Sequence, residues 1–197
     1  MMPKSRIKSI NHHKKIGSIR IIAGKHRGRK LPVIAMEGLR PTTDRVKETV
    51  FNWLMPYINS ANCLDCFAGS GSLGIEALSR GAEQVLFLEL NKQVCEQLKA
   101  NIALLKQRNA TVKQTDSLKY LQQQAPQTFD IVFLDPPFHQ NLLLATSQAL
   151  NAGWLASKAL IYIECETRFQ HTVLPANWQL LKEKKAGQVA YRLYQNT

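Results

Sequence analysis

The residues Asp135-Pro136-Pro137-Phe138 combine side chains that could hold a flat, amine-bearing ring. They follow the run FDIVFL, whose apolar character is typical of a buried strand. Two consecutive prolines end such a strand, because neither has a backbone N–H for the sheet ladder. A carboxylate, a rigid kink and an aromatic ring at this point indicate either a simple strand terminator or a binding site at the carboxyl end of the strand.

A second candidate site is the segment DCFAGSGSLG, which carries Gly69, Gly71 and Gly74 in G-x-G-x-x-G spacing. Glycines allow a tight turn and a close approach of the backbone to a ligand, at a helix start where N–H groups point outwards. Glu89 follows Gly69 by twenty residues, where an acid can accept hydrogen bonds from ribose hydroxyls. The pair predicts a nucleoside cofactor, but the glycine spacing leaves NAD and S-adenosylmethionine (SAM) both open.

An alternation of strand-like and helix-like segments must position these motifs. Five apolar runs separated by helical patterns predict an α/β fold with a doubly wound, mostly parallel sheet. The C-terminal segment predicts an antiparallel hairpin that turns near Gly187, and SIRIIAG and RKLPV predict a small N-terminal β-hairpin. In such sheets ligands bind outside the carboxyl ends of the strands. Four acids are expected at those ends, namely Asp65, Glu89, Asp116 and Asp135.

Three segments together resemble the bacterial RsmD family: RPTTDRVKETVFNWL, LDCFAGSGSLGIEALSRGA and FLDPPF, in this order. The resemblance extends from about Ser18 to Tyr194. It implies a Rossmann-like class I SAM-dependent methyltransferase fold, with a mostly parallel seven-stranded sheet. It also implies methyl transfer from SAM to N2 of a guanine in 16S ribosomal RNA. The D-P-P-F motif by itself is shared with many adenine and guanine enzymes.

The resemblance gives the candidate site residues their roles. Asp135 and the Pro136 carbonyl are expected to accept the two N–H groups of the exocyclic amine, which aims its lone pair at the methyl carbon. Pro137 keeps the corner rigid, and Phe138 offers a face on which an extruded base can stack. Asp116 could instead simply cap the helix that starts at Ser117. The residues expected to bind SAM are Asp65, Phe67, Gly69, Gly71, Glu89, Leu90, Asp116, Ser117, Arg40 and Thr42.

The positive charge of the chain is concentrated near its N-terminus. Residues 1–47 contain 13 Lys and Arg against 2 acids, whereas residues 48–197 contain 13 against 12. This asymmetry favours binding to a polyanion by release of counterions. The expected partner is 16S ribosomal RNA or the assembling 30S subunit. The residues expected to contact RNA are Lys25, Arg27, Arg29, Lys30 and Arg45, with Lys47 as a further candidate.

The predicted organisation is a flexible basic arm (residues 1–17), a basic β-hairpin (18–40) and a methyltransferase domain (41–197). A cytoplasmic protein is expected, because the chain shows no secretory signal and no apolar run reaches the roughly 18 residues of a membrane span. A monomer is also expected. The four cysteines are expected to be reduced and buried. No metal site is expected at Cys63-x-x-Cys66, because no second Cys/His pair lies nearby.

Two other functions stay open at this point. The first is an N6-adenine methyltransferase acting on RNA or DNA, although no separate recognition segment follows the predicted sheet. The second is a non-catalytic RNA-binding factor in ribosome assembly, which the basic N-terminus would fit equally well. The presence of Asp65, Gly69, Glu89 and Asp135 argues against this second alternative.

Overall fold

The structure is a computed structural model that describes residues 16–34, 43–137, 142–170 and 173–197. Strands and helices alternate along most of the chain. The strands are β1 (Ile16–Arg20), β2 (Lys30–Ile34), β3 (Asn62–Asp65), β4 (Gln84–Glu89), β5 (Ala110–Gln114), β6 (Phe129–Leu134), β7 (Leu155–Glu166), β8 (Trp178–Ala186) and β9 (Val189–Asn196). The helices are α1 (Asp44–Leu54), α2 (Ser72–Ser79), α3 (Lys92–Leu104), α4 (Ser117–Leu121) and α5 (Leu142–Asn151).

Seven strands form one sheet in the order β5-β4-β3-β6-β7-β9-β8. The strands β3 to β7 pair in parallel, whereas β9 pairs antiparallel with both β7 and β8. The last strand of the chain therefore lies inside the sheet, and β8 forms its edge. This arrangement confirms the predicted α/β methyltransferase fold, including the antiparallel C-terminal hairpin.

The central strands of the sheet are covered on both faces, which explains why β6 is an almost continuous apolar run, whereas the edge strand β8 is largely exposed. One face packs against α1, α2 and α3 through side chains such as Phe87 and Phe133. The other face packs against α4 and α5 around Trp154, whose indole N–H donates to the Leu121 carbonyl (2.9 Å). The four cysteines are buried free thiols, as expected, and the described residues include no helix that could span a membrane.

The N-terminal strands β1 and β2 form a separate two-stranded antiparallel sheet. Ile19, Ile21 and Leu31 of this hairpin belong to the same apolar cluster as the face that packs against α1 to α3. The hairpin is thus joined to the main body through a shared core. Strand β1 begins at Ile16, within the predicted arm, and the division into three domains stays a prediction.

Candidate active site

The glycine turn follows β3 and the Asp-Pro-Pro corner follows β6, and these two strands are neighbours in the sheet. The chain runs outwards from β3 through β4 to β5 and then returns to β6 on the other side of β3. The carboxyl ends of β3 and β6 therefore flank the switch point where open α/β sheets bind ligands. Asp65, the last residue of β3, pairs with Phe133, and the corner begins at Asp135, directly after β6.

Two strand-end carboxylates hold the glycine turn in place. Asp65 Oδ2 accepts from the Gly74 N–H (3.1 Å), and Glu89 Oε2 accepts from the Gly69 N–H (2.9 Å). Gly71 has φ 77°, a left-handed conformation that favours glycine, and a Cβ there would lie 2.3 Å from Leu98 Cδ1. Both acids thus shape the backbone that is expected to pass close to the cofactor.

The interior of this turn carries an excess of negative charge. Burial raises the pKa of Asp65 to about 7, although the Gly74 N–H lowers it, and Glu89 raises it further. Ser72, the first residue of α2, has a buried hydroxyl without a hydrogen-bond partner among the described residues. A cationic ligand with a polar tail would relieve both features, which fits the sulfonium and the amino-acid end of SAM. The sequence had not marked Ser72, whose only signal is its place directly after Gly71.

Glu89 and Leu90 lie at the end of β4, next to β3. The second carboxylate oxygen of Glu89, Oε1, accepts from the Asn91 N–H (2.7 Å). The Leu90 side chain is 66% exposed, so it offers an apolar surface beside the carboxylate. This pairing suits a sugar and a flat base, but the contacts of both residues with SAM stay predictions.

Asp116 and Ser117 form structural contacts at the end of β5. Asp116 Oδ1 accepts from the Lys119 N–H (2.9 Å) and caps α4, which is the alternative role that the sequence had left open. The Ser117 hydroxyl donates to the Cys66 carbonyl and thereby fixes α4 against the residue that follows β3. Asp116 still stands at the carboxyl edge with the other acids, and its contact with a cofactor stays a prediction.

The corner after β6 contains a second carboxyl group with a raised pKa. Burial, the Glu164 carboxylate and Asp65, in this order, raise the pKa of Asp135 well above its usual range. Glu164 lies on β7 beside the corner, since Leu134 pairs with Ile163, and its Oε1 accepts from the Tyr162 hydroxyl (2.7 Å). Sequence reasoning looked for acids at the ends of strands. It missed Glu164 because β7 continues past this residue to Glu166. Pro136 is buried and Pro137 is exposed.

Some predicted residues fall outside the described part of the chain. These are Phe138 of the corner and the cofactor candidates Arg40 and Thr42, so their roles stay predictions. The neighbouring Thr43 is described, and its hydroxyl oxygen caps α1 by accepting from the Val46 N–H (3.4 Å). Phe67 is partly buried directly after β3, within the glycine turn segment.

The predicted RNA-contact residues do not gather around the corner. Lys25, Arg27 and Arg29 are exposed in the turn between β1 and β2, and Lys30 is the first residue of β2. This turn docks on Ser79 and Leu104, the last residues of α2 and α3, since the Lys25 N–H donates to the Ser79 carbonyl (2.7 Å). Both helices start at the carboxyl edge of the sheet, so the turn lies at the opposite, amino end.

The two cations of α1 differ in their surroundings. Arg45 is exposed in the first turn of the helix, and its contact with RNA stays a prediction. Lys47 is only 1% exposed, and its ammonium donates to the Arg20 carbonyl below the hairpin. Burial lowers the pKa of Lys47, although Glu76 and Asp44 oppose this shift. The prediction that Lys47 contacts RNA phosphates is therefore wrong. Helical periodicity alone could not show that the hairpin covers this face of α1.

The described residues include no group of three or more His, Cys, Asp or Glu side chains that could hold a metal ion. The acids at the strand ends accept N–H or O–H groups of the protein instead. Asp130, at the other end of β6, accepts from the Asn62 N–H (2.8 Å), so it links two strands.

Comparisons with known proteins find relatives over nearly the whole chain. The family model described as Conserved hypothetical protein 95 matches residues 19–195. The Haemophilus influenzae Ribosomal RNA small subunit methyltransferase D is 59% identical over 184 residues, which are 91% of this chain and 95% of the relative. The Escherichia coli K12 protein of the same name is 54% identical over 185 residues, with 93% of each chain covered.

Solved structures show the same fold. The yhhF protein of Escherichia coli superposes with a TM-score of 0.86 at 55% identity, over 91% of this chain and 98% of that chain. A more distant structure, solved as a complex with SAH, gives a TM-score of 0.65 at 16% identity over 84% of this chain and 53% of that chain, which shows the fold alone. Since the family model matches residues 19–195, a span that includes the glycine turn and the Asp-Pro-Pro corner, the chain belongs to the Conserved hypothetical protein 95 family, the family of the RsmD methyltransferases.

Proposed function

We propose that this protein transfers a methyl group from SAM to the exocyclic N2 amine of a guanine in 16S ribosomal RNA. The observation that carries the proposal is the placement of the Asp-Pro-Pro corner next to the glycine turn, at the switch point of the sheet. Relatives named Ribosomal RNA small subunit methyltransferase D support ribosomal RNA as the substrate, and methylation of ribosomal RNA would place the protein in the cytoplasm. The basic N-terminal hairpin supports it independently.

The cofactor would lie along the carboxyl edge from the glycine turn to α4. Asp65 would hold the amino group of SAM, Glu89 the ribose hydroxyls, and Asp116 and Leu90 the adenine ring. SAM supplies an electrophilic methyl group on a positively charged sulfur. The buried carboxyl group of Asp65 favours that charge, because a nearby cation would lower its raised pKa.

Asp135 and Pro136 would orient the amine of the base. The lone pair of an exocyclic amine is delocalised into the ring, so two acceptors are needed to fix its direction. The Asp135 carboxylate and the Pro136 carbonyl are such acceptors, and the carboxylate also stabilises the positive charge that develops on nitrogen. The lone pair would form the new N–C bond as the methyl–sulfur bond breaks, with S-adenosylhomocysteine as the leaving group, and the nitrogen would then lose one proton to water. No base is required before attack, because the positively charged nitrogen that the attack forms is strongly acidic.

Replacing Asp135 tests this mechanism directly. We expect Asp135→Ala to lower the rate of methyl transfer by at least about 100-fold, the scale of losing one preorganised electrostatic group. SAM affinity should stay close to that of the unchanged protein, since Asp135 faces the base. Transfer from labelled SAM to unmodified 16S RNA and 30S particles measures the rate, and calorimetry measures the affinity. Full turnover by the variant would remove Asp135 from the mechanism.

The identity of the product is tested separately. Mass mapping of the labelled RNA should find one N2-methylguanine. Methylation of adenine, or of DNA offered in parallel, would support the adenine enzyme instead. Failure of the unchanged protein to bind SAM would support a non-catalytic assembly factor.

A further inference from the structure

A second basic segment lies beside the hairpin turn, although it is distant in sequence. Arg29 donates through Nη2 to the Leu104 carbonyl (3.1 Å), and the Gln107 amide contacts His26 Nε2 (2.8 Å). The exposed cations Lys106 and Arg108 flank Gln107 in the loop between α3 and β5. We define the amino-end basic surface as Lys25, Arg27 and Arg29 of the turn together with Lys106 and Arg108 of this loop.

Among the residues that the structure describes, no carboxylate forms an ion pair with any of the five cations of this surface. Burial lowers the pKa of His26, and the charges of Arg29 and Lys25 lower it further, as expected in a positive field. One exposed acid, Glu83, borders the surface, where its carbonyl accepts from the Asn109 side chain (2.9 Å).

The turn that carries three of these cations is held rigidly. Glu76, buried in α2, accepts from the Ile22 N–H (2.8 Å) and the Ala23 N–H (3.0 Å). The Ser79 hydroxyl accepts from the His26 N–H (3.0 Å) and donates to the Ala23 carbonyl (2.6 Å). A rigid backbone lowers the entropic cost of fixing its cations against a partner. Such anchoring suits a preformed docking surface.

The surface is far from the candidate active site. It lies at the C-terminal ends of α2 and α3, which start at the carboxyl edge and contain 8 and 13 residues. Helices of these lengths extend about 12 and 20 Å, at about 1.5 Å per residue. The phosphate next to a guanine in the active site cannot reach across that distance, so a polyanion bound here must be a different part of the RNA.

We propose that the amino-end basic surface binds the phosphate backbone of a second RNA segment, remote from the methylated nucleotide. The inference rests on the proposed function, which makes structured ribosomal RNA the available polyanion. It assigns a binding role to Lys106 and Arg108, which the N-terminal charge asymmetry does not include. It also makes the folded RNA, rather than a short strand around the guanine, the preferred substrate.

The test compares a variant that lacks two charges of the loop with a control variant that lacks two charges elsewhere. The variant Lys106→Gln/Arg108→Gln changes only the surface. The control Lys182→Gln/Lys184→Gln removes the same charge from β8, at the opposite edge of the sheet, where both side chains are exposed. Binding to unmodified 30S particles is measured from about 0.05 to 0.3 M salt, because the slope of log affinity against log salt counts phosphate contacts.

We expect the loop variant to reduce that slope by about 1.5, at roughly 0.7 to 0.9 per lost contact, and to weaken binding. The control should leave the slope unchanged, and a short RNA hairpin that contains the target guanine should bind both variants alike. Equal slopes for the loop variant and the unchanged protein would overturn the proposal, as would equal losses in both variants. SAM binding and methyl transfer by the unchanged protein test the proposed function on their own, so the two failures are distinguishable.

Discussion

Asp135 is buried and has two other carboxyl groups as neighbours, and burial and both neighbours raise its pKa. Glu164 on β7 and Asp65 on β3 both raise its pKa, in addition to the larger effect of burial. A group with a raised pKa is protonated over a wider range of pH, and a protonated Asp135 is a weaker acceptor for an amine N–H. Activity should therefore fall as the pH drops through this raised pKa.

Removing the charge of Glu164 should shift this dependence. Glu164→Gln keeps an oxygen that can accept from the Tyr162 hydroxyl, but it removes the negative charge beside Asp135. The pKa of Asp135 should fall, so the acid limb of the activity profile should move to lower pH. The acid limb is measured from transfer rates at saturating SAM between about pH 5 and pH 9. Under these conditions it reports the ionisation of the enzyme with its substrates bound.

The matched control is Glu166→Gln, two residues further along β7. Glu166 pairs with Arg168 (2.6 Å), away from the corner, so the limb should stay in place. An unmoved limb in Glu164→Gln would show that Glu164 does not act on Asp135.

At the scale of elements, the hairpin turn depends on a close approach to α2. Gly24 has φ 79°, and a Cβ there would lie 1.8 Å from the Ser79 carbonyl oxygen. Gly28 in the same turn has φ 82°, but a Cβ there would meet nothing within 4 Å. The two glycines share the backbone requirement and differ only in the contact with α2, so they form a matched pair.

We expect Gly24→Ala to destabilise the protein more than Gly28→Ala. A left-handed alanine costs about 1–2 kcal/mol at either position. The clash with Ser79 adds about 1–3 kcal/mol at Gly24, the usual cost of overpacking. Urea unfolding measures both free energies. Equal losses would mean that the hairpin turn does not pack against α2 in solution.

Docking of this element is also where sequence reasoning reached its limit. The hairpin itself was predictable, because strand patterns and turn residues are local. Its position was not, since it depends on buried polar contacts such as those of Glu76 and Lys47 with the hairpin backbone. The sequence does not distinguish Glu76 and Lys47 from the exposed charged residues of an ordinary helix.

For the whole molecule, the carboxyl groups of the site make stability depend on pH. Burial raises the pKa of Asp65 from 3.8 to about 7. Between these values the folded protein keeps a proton that the unfolded chain has lost, so the contribution of Asp65 to stability falls as the pH rises. Asp65 thus lowers the stability of the protein near neutral pH, but its carboxyl group suits a site for a positively charged ligand.

Asp65→Asn should remove this dependence. Its free energy of unfolding, relative to the unchanged protein, should increase between about pH 4 and pH 7, by up to roughly 4 kcal/mol. The amide oxygen can still accept from the Gly74 N–H, but SAM affinity should fall because the charge is lost. Urea unfolding at several pH values gives the first quantity and calorimetry the second. A stability difference that is constant with pH would contradict the raised pKa of Asp65.

The sequence by itself determined the alternation of strands and helices, the glycine turn, the corner and the acids at four strand ends, because each depends on neighbours along the chain. Their convergence also followed, since parallel strands bring their carboxyl ends to one edge. Only the tertiary structure decided that Glu164 stands beside Asp135, that Lys47 is buried, and that the basic turn joins Lys106 and Arg108 at the opposite end. These three facts depend on contacts between elements far apart in the chain, and no local pattern encodes which elements will touch.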